Sequence, residues 1–130
     1  MLLDTSGLLA CLDASERRHA SAVAAYDSRT VHLTHNYVLA ELIALAHARG
    51  LPRERVVRFV AELSDDRDVE MVWIDRALHH KAIAVLMAQL DKVYSLCDAV
   101  SFVLMRDRGI REALSTDHHF EQAGFSILLT

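Results

Sequence analysis

The sequence predicts an α/β fold in which helices flank a short, mostly parallel sheet of four to five strands. Short apolar runs alternate with longer stretches of helical periodicity, a pattern typical of parallel strands joined by crossover helices. The 4 Gly and 1 Pro are too few for an all-β chain with many tight turns. A length of 130 residues suits one ordinary domain, so we expect residues 1–130 to form it.

Five apolar segments are predicted as strands, namely residues 1–3, 31–33, 69–74, 112–116 and 125–129. Helices are predicted between them at residues 6–12, 18–26, 35–49, 52–63, 76–90 and 96–108, followed by a helical turn up to residue 122. Ser6 and Asp75 are candidate N-caps, and Pro52 suits a first helical turn. Gly50 and Gly109 are expected to end the third and the sixth helix.

The composition excludes several classes of protein. Hydrophobic residues make up 52% and charged residues 25% of the chain, which excludes a disordered or collagen-like protein. No apolar run approaches the roughly 18 residues that a membrane span needs, and no secretory signal is visible. Cys11 and Cys97 lie in apolar surroundings without CxxC spacing. We therefore expect reduced thiols, a cytoplasmic location and no membrane association.

The charge balance is mildly acidic. A net charge of −4 is not typical of a protein that binds nucleic acid through an overall excess of positive charge. If four of the acids served one metal site, the remaining charges would balance. Motifs of nucleotide-triphosphate, dinucleotide and serine-hydrolase sites are absent from the sequence.

Two aspartates directly follow predicted strands. Asp4 ends the first apolar segment, and Asp117 follows Leu114-Ser115-Thr116. Ligands of an open parallel sheet bind beyond the carboxyl ends of its strands, so both aspartates are candidate site residues. The alternative for each is an ordinary turn or helix cap.

Glu41 is predicted to share an apolar helix face. It lies three residues after Val38, whose stripe continues with Leu42 and Leu45. A carboxylate in such a stripe is costly unless an arginine or a metal pairs with it. The alternative is a glutamate at the helix edge that reaches water.

Asp98 lies in the most apolar of the predicted helices. Residues 96–105 contain only two polar side chains, Asp98 and Ser101, and a helix that is apolar on every side is buried. The two residues are three positions apart and share a face. Ser95-x-x-Asp98 also fits a capping box, which is compatible with a site because capping leaves one carboxylate oxygen free.

The four acids would repel one another in a common cleft unless cations filled it. Carboxylate oxygens suit Mg²⁺ or Mn²⁺ rather than Zn²⁺. A pair of such ions activates water and stabilises the leaving oxygen of a phosphodiester. We therefore expect one or two Mg²⁺ or Mn²⁺ ions, held by Asp4, Glu41, Asp98 and Asp117, if these residues converge.

Four segments of the sequence resemble the PIN-domain ribonucleases, and within them the VapC toxins of bacterial toxin–antitoxin pairs. They are Leu2-Leu3-Asp4-Thr5-Ser6, Asn36-Tyr37-Val38-Leu39-Ala40-Glu41, Tyr94-Ser95-Leu96-Cys97-Asp98-Ala99-Val100-Ser101-Phe102 and Ser115-Thr116-Asp117-His118-His119-Phe120. They occur in the family's order and span essentially the whole chain. The Ser-x-x-Asp-Ala-x-Ser-Phe stretch is the most specific.

The resemblance implies a three-layer, PIN-like fold with an acidic pocket at the carboxyl ends of the strands. It carries the family's metal-binding acids over to Asp4, Glu41, Asp98 and Asp117. It also implies RNA cleavage with Mg²⁺ or Mn²⁺ to 5′-phosphate and 3′-hydroxyl ends, a homodimer, and inhibition by an antitoxin protein. Many relatives have a further acid two residues after the last aspartate, where this chain has His119, which argues against a five-acid site.

Six residues near the acids are candidates for supporting roles, namely Thr5, Ser6, Asp91, Ser101, Thr116 and His119. The hydroxyls could hold phosphate or water, and Asp91 resembles a frequent family position. His119 could reach phosphate or metal. Each also has an ordinary explanation: capping for the hydroxyls, a solvated loop for Asp91, and surface or packing for His119.

Two other functions remain open on the sequence alone. A housekeeping PIN nuclease in RNA processing would have the same acids, and a non-catalytic PIN module would only bind RNA or protein. Intact acids at all four positions argue against such a degenerate module. A haloacid-dehalogenase-type phosphatase needs Asp-x-Asp after the first strand, which Asp4-Thr5-Ser6 does not supply.

Overall fold

Five strands and seven helices alternate along the chain in the computed structural model, which describes all residues from Met1 to Thr130. The strands are β1 (Leu2–Leu3), β2 (His32–His35), β3 (Val69–Val72), β4 (Glu112–Leu114) and β5 (Ser126–Ile127). The helices are α1 (Thr5–Leu12), α2 (His19–Ser28), α3 (Asn36–Ala48), α4 (Arg53–Asp65), α5 (Arg76–Ala88), α6 (Leu96–Arg108) and α7 (His118–Gln122). The predicted α/β class is confirmed.

The strands form one sheet in the order β3-β2-β1-β4-β5, and every pairing is parallel. Leu2 of β1 is in register with Leu33 of β2 and with Ala113 of β4. Because all strands run in one direction, their carboxyl ends lie along one edge of the sheet. The residues that follow β1, β2 and β4 therefore meet at this edge.

Two apolar clusters cover the two faces of the sheet. Successive side chains of a strand point to opposite faces. Leu3 and Leu114 pack in a cluster with α1, α2, α3 and α4, whereas Leu2 and Ala113 pack in a cluster with α5, α6 and α7. The molecule therefore has the predicted three layers. None of its helices has both the length and the apolar character needed to cross a bilayer.

The second strand extends beyond its predicted end at residue 33, and the helix predicted from residue 35 begins at Asn36. The prediction left Thr34 and His35 out of this strand, yet both side chains are fully buried. Thr34 Oγ1 donates a hydrogen bond to the Leu3 carbonyl at 3.0 Å, and His35 Nε2 lies 2.9 Å from Ser101 Oγ. Polar groups with partners of this kind are compatible with a buried strand.

The other strand predictions were too long, because β3, β4 and β5 each end two residues earlier than expected. The helix α6 has the predicted bounds. Ser95 and Asp98 form the predicted capping box, in which each side chain accepts a hydrogen bond of 3.0 Å from the backbone N–H of the other. Gly109 ends the helix with a left-handed φ of 65°. Asp98 is thereby fixed in the first turn of a buried helix.

Gly7 allows α1 to approach β4 closely, since a Cβ at this position would overlap the carbonyl oxygen of Leu114. We expect Gly7→Ala to lower the free energy of unfolding by about 3 kcal/mol, because a backbone atom cannot move aside as a flexible side chain does. Urea denaturation measures this change. Ser21→Ala, at an exposed position of α2, serves as the control, and equal stability of the two variants would contradict the expectation.

Candidate functional site

Asp4 lies at the carboxyl end of β1 and occupies the N-cap position of α1, although its side chain makes no capping bond. The prediction of Ser6 as the N-cap was wrong, because α1 begins one residue earlier, at Thr5. Asp4 Oδ2 accepts hydrogen bonds from Ser115 Oγ at 2.7 Å and from Ser6 Oγ at 3.3 Å. The residue is only 5% exposed, so these bonds hold a buried carboxyl group in place.

The pKa of Asp4 is raised to about 7. Burial is the main cause, and the neighbouring charges of Asp98 and Glu41 raise the pKa further, whereas hydrogen bonds from Ser115 and the Thr5 backbone lower it. The side chain therefore lies close to two other acids, in surroundings that disfavour another negative charge.

Asp98 lies one turn into α6, with 6% of the residue exposed. Its Oδ2 atom, which accepts the capping bond from Ser95, also lies 2.9 Å from Nδ1 of His119. Asp98, Asp117 and His119 each offer one potential ligand atom, and these three atoms lie within 4.8 Å of one another. This group of atoms could hold a metal ion.

Asp117 follows β4 and is the N-cap of α7. Its Oδ1 atom accepts a hydrogen bond of 2.9 Å from the His119 backbone and lies 3.4 Å from His119 Nδ1. The capping alternative is therefore correct. As for Asp98, capping is compatible with a role among the four predicted acids Asp4, Glu41, Asp98 and Asp117, which we call the acidic group. His119 faces the two aspartates, and its ring meets the ring of Tyr94 edge-on with centroids 5.4 Å apart.

The burial of Glu41 was predicted wrongly, since this residue is exposed. The buried stripe of α3 consists of Val38, Leu39, Leu42 and Ala46. The predicted stripe included Leu45, whereas the observed stripe includes Leu39 and Ala46. Because successive residues turn by about 100° around a helix, the centre of the observed stripe lies farther from Glu41 than the centre of the predicted one. Glu41 therefore lies at the helix edge, as in the alternative interpretation.

Glu41 nevertheless lies near the other acids, since its charge raises the pKa of Asp4 and of the Cys97 thiol. The pKa of the buried Cys97 thiol is raised first by burial and then by the nearby carboxylates of Glu41, Asp4 and Asp98. Glu41 of α3, Asp4 after β1 and Asp98 of α6 are thus within electrostatic range of this one thiol. The group whose ligand atoms lie within 4.8 Å of one another contains Asp98, Asp117 and His119, but neither Asp4 nor Glu41.

Ser115 is a site residue that the sequence analysis did not single out. Its hydroxyl donates to Asp4 Oδ2, accepts from the Asp117 backbone at 2.9 Å, and lies 3.2 Å from Ser6 Oγ. It therefore links the two strand-end aspartates. Its place in the segment Leu114-Ser115-Thr116-Asp117 was the one available signal.

The remaining candidates for supporting roles lie at different distances from the acids. Ser6 Oγ accepts a hydrogen bond of 3.0 Å from the Thr116 backbone, so both residues border the acidic group. Thr5 is buried beside Asp4, and its hydroxyl has no partner. The Ser101 hydroxyl contacts His35 instead of an acid. The Asp91 side chain is 77% exposed, 3.9 Å from Lys92, as expected of a solvated loop.

The donor set suits a divalent cation. Asp4 and Asp98 are nearly inaccessible to water. No lysine or arginine forms an ion pair with any of the four acids. The one basic side chain near them is that of His119, which contacts Asp98 and Asp117. Adjacent carboxylates without a cationic partner are unfavourable. Carboxylate oxygens are the ligands that Mg²⁺ and Mn²⁺ prefer.

Comparison with known proteins agrees with this fold. The family model described as "PIN domain" matches residues 1–126. A curated relative, the "23S rRNA-specific endonuclease VapC20" of Mycobacterium tuberculosis (strain CDC 1551 / Oshkosh), is 35% identical over 126 residues, which cover 96% of this chain and 95% of the relative. The VapC20 of strain H37Rv aligns with the same identity and coverage.

A solved structure has the same fold. The crystal structure of Mycobacterium tuberculosis VapC20, described as a Sarcin-Ricin loop cleaving toxin, matches with a TM-score of 0.87 at 30% sequence identity. The match covers 95% of this chain and 95% of the other.

Proposed function

The chain belongs to the PIN-domain family, and we propose that it is a metal-dependent endoribonuclease that leaves 5′-phosphate and 3′-hydroxyl ends. Endonuclease activity is supported by the similarity to VapC20 along almost the whole chain. The observation that carries the proposal is the group of acids at the carboxyl edge of the sheet, where two aspartates are buried without a lysine or arginine partner.

In this proposal the four acids Asp4, Glu41, Asp98 and Asp117 hold one or two Mg²⁺ or Mn²⁺ ions. Such ions supply an activated water and neutralise the charge that develops on a phosphodiester. The protein supplies fixed ligands, since hydrogen bonds from Ser115 and Ser6 orient Asp4. The capping bond from the Ser95 backbone orients Asp98 in the same way.

We further propose that the protein is the toxin of a VapBC-type pair, with RNA as substrate and a cognate antitoxin as protein partner. The support is the likeness to VapC20, which is described as a toxin and as specific for 23S rRNA. Ribosomal RNA is therefore the first substrate to test. The place of action in this proposal is the cytoplasm, and the chain acts as a single domain.

A homodimer is part of the proposal. Three large apolar side chains, Ile83, Met87 and Leu90, recur along α5 and the turn after it, and Val93 follows them. Met87, Leu90 and Val93 are 66%, 75% and 85% exposed. Such a stripe is unusual on a monomer surface and offers a self-complementary face to a second copy of the chain.

The test is cleavage of purified bacterial 23S and 16S ribosomal RNA by the partner-free protein, with end mapping of the products. We expect cleavage with Mg²⁺ or Mn²⁺, and a loss of more than about a hundredfold in EDTA that added metal restores. Cleavage that persists in EDTA would contradict the metal-dependent mechanism. Precursor ribosomal RNA is included as a further substrate, and cutting of the precursor alone would favour a processing nuclease. Absence of cleavage of every one of these RNAs would favour a non-catalytic module.

A further inference from the structure

A cleft beside the acids has the opposite charge. It is a small cleft of about 50 Å³, lined by Ser6, Glu16, Arg18, Arg49 and Thr116 together with Leu9 and Ala10 of α1. We propose that this cleft binds a phosphate of the RNA strand next to the phosphodiester that is cut, with Arg49 as the phosphate-binding residue. The inference rests on the proposed endoribonuclease function.

The cleft is continuous with the acidic group. Ser6 Oγ donates to Asp4 Oδ2 and accepts the Thr116 backbone N–H at 3.0 Å, and Thr116 directly precedes Asp117. One wall of the cleft is thus formed by the residues that border two of the acids. An RNA strand whose phosphate lies at the acids can therefore extend along this wall.

The two arginines of the cleft differ in their partners. Arg18 is engaged, because its Nε donates to the Thr130 carbonyl at 2.8 Å and its Nη1 lies 3.4 Å from Glu16. Arg49 has neither an ion pair nor a side-chain hydrogen bond in the structure, and it is exposed. The charge of Arg18 is balanced by Glu16, so the guanidinium of Arg49 is the uncompensated cation of the cleft.

Asp13 lies outside the cleft and forms no ion pair with Arg49. The pKa of Asp13 is lowered mainly by hydrogen bonds from Ser15, with smaller contributions from the charges of Arg55 and Arg49. Asp13 Oδ1 accepts both the hydroxyl and the backbone N–H of Ser15. Arg49 is therefore near enough to influence Asp13 but free to form a bidentate pair with a phosphate.

The position of Arg49 favours a neighbouring phosphate over the scissile one. Arg49 follows the last turn of α3, eight residues after Glu41, which places it about 12 Å farther along the helix axis at 1.5 Å per residue. An extended arginine covers only part of this distance. A guanidinium at this place would fix the position of the RNA strand relative to the acids. It would contact the phosphate and not the bases, so it would not discriminate between sequences.

The experiment compares Arg49→Gln with Arg67→Gln. Arg67 is exposed, forms no ion pair, and precedes β3 at the opposite edge of the sheet, so the control removes the same charge far from the acids. Both changes are made in an Asp98→Asn background, and binding of a labelled 20-nucleotide polyuridylate is measured over a range of salt concentrations with Mg²⁺. The probe has no secondary structure and tests phosphate contacts alone.

We expect Arg49→Gln to weaken binding about fivefold and to reduce the slope of log affinity against log salt by about 0.7, the value for one phosphate contact on a single strand. Arg49→Lys should restore most of the slope, and Arg67→Gln should change neither quantity. In the cleavage-competent protein, Arg49→Gln should raise KM for ribosomal RNA more than it lowers kcat.

Equal affinity and equal salt slope for Arg49→Gln and Arg67→Gln would overturn the inference. This is also the result expected if Arg49 binds an acidic protein partner instead of RNA. A loss of thermal stability without a change in slope would assign Arg49 a structural role and also overturn it. If the parent protein neither binds polyuridylate nor cleaves ribosomal RNA, the proposed function fails, whereas cleavage with an unchanged slope overturns the phosphate cleft alone.

Discussion

Replacing Asp98 by asparagine is expected to reduce RNA cleavage at least about a thousandfold while the fold remains intact. A thousandfold loss corresponds to about 4 kcal/mol of transition-state stabilisation, the size expected when a ligand of a catalytic metal is lost. The fold should persist, because an asparagine oxygen can still accept the capping bond from the Ser95 backbone. The change therefore removes a charge from the site without removing the helix cap.

Asp107→Asn is the matched control, since Asp107 lies in the last turn of the same helix and is exposed. Cleavage of ribosomal RNA under single-turnover conditions and the thermal unfolding midpoint should be measured for both variants. Only Asp98→Asn should lose activity, and both should unfold near the wild-type temperature. Undiminished cleavage by Asp98→Asn would remove the acidic group from the mechanism.

The sequence predicted the fold best where several local signals coincided. For α6, a capping box, an unbroken apolar segment and a terminal glycine agreed, and the bounds of the helix were correct. The strand β2 was harder, because Thr34 and His35 are polar. Their hydrogen-bond partners, Leu3 and Ser101, come from distant parts of the chain. No local sequence pattern predicts such long-range hydrogen bonds.

The candidate site was predictable to the extent that strand ends and helix faces determine it. Asp4 and Asp117 were found because parallel strands end at one edge. Glu41 was assigned to the wrong environment, since a stripe of three apolar residues leaves the centre of a helix face uncertain by one position. Ser115 was not found, because its contact with Asp4 depends on β4 lying next to β1.

The second large effect concerns stability and pH. Without metal, Asp4→Asn is expected to be more stable than the wild-type protein at pH 8, by up to about 4 kcal/mol. The pKa of Asp4 is about 7 in the folded protein, against 3.8 for a free side chain, chiefly because the carboxyl group is buried. A difference of three pKa units corresponds to about 4 kcal/mol, and an asparagine cannot ionise.

The sign follows from proton binding. Between pH 3.8 and about 7 the folded wild-type protein keeps a proton on Asp4 that the unfolded chain has lost, as its raised pKa requires. The wild-type protein therefore loses stability as the pH rises through this range, and the loss is complete above pH 7. The stability difference between Asp4→Asn and wild type should be small at pH 4, rise up to pH 7 and remain constant above.

Urea denaturation in EDTA from pH 4 to pH 8 measures this difference. Burial lowers the pKa of His35 to about 4, so this histidine destabilises the folded state as the pH falls from 6.5 towards 4. Both proteins contain His35, and its contribution cancels in the difference. A difference that does not change with pH would show that Asp4 ionises normally in the folded protein and would contradict the burial argument.

Metal should offset most of this difference in stability. A divalent cation that binds only the folded wild-type protein stabilises it by RT ln(1 + [L]/Kd), about 3 kcal/mol at a hundred times Kd. The same concentration of Mn²⁺ should have little effect on Asp4→Asn, in which the buried ligand is neutral. The carboxylate that destabilises the metal-free fold would then be the group that binds the metal, as expected where a site is maintained for function at the expense of stability.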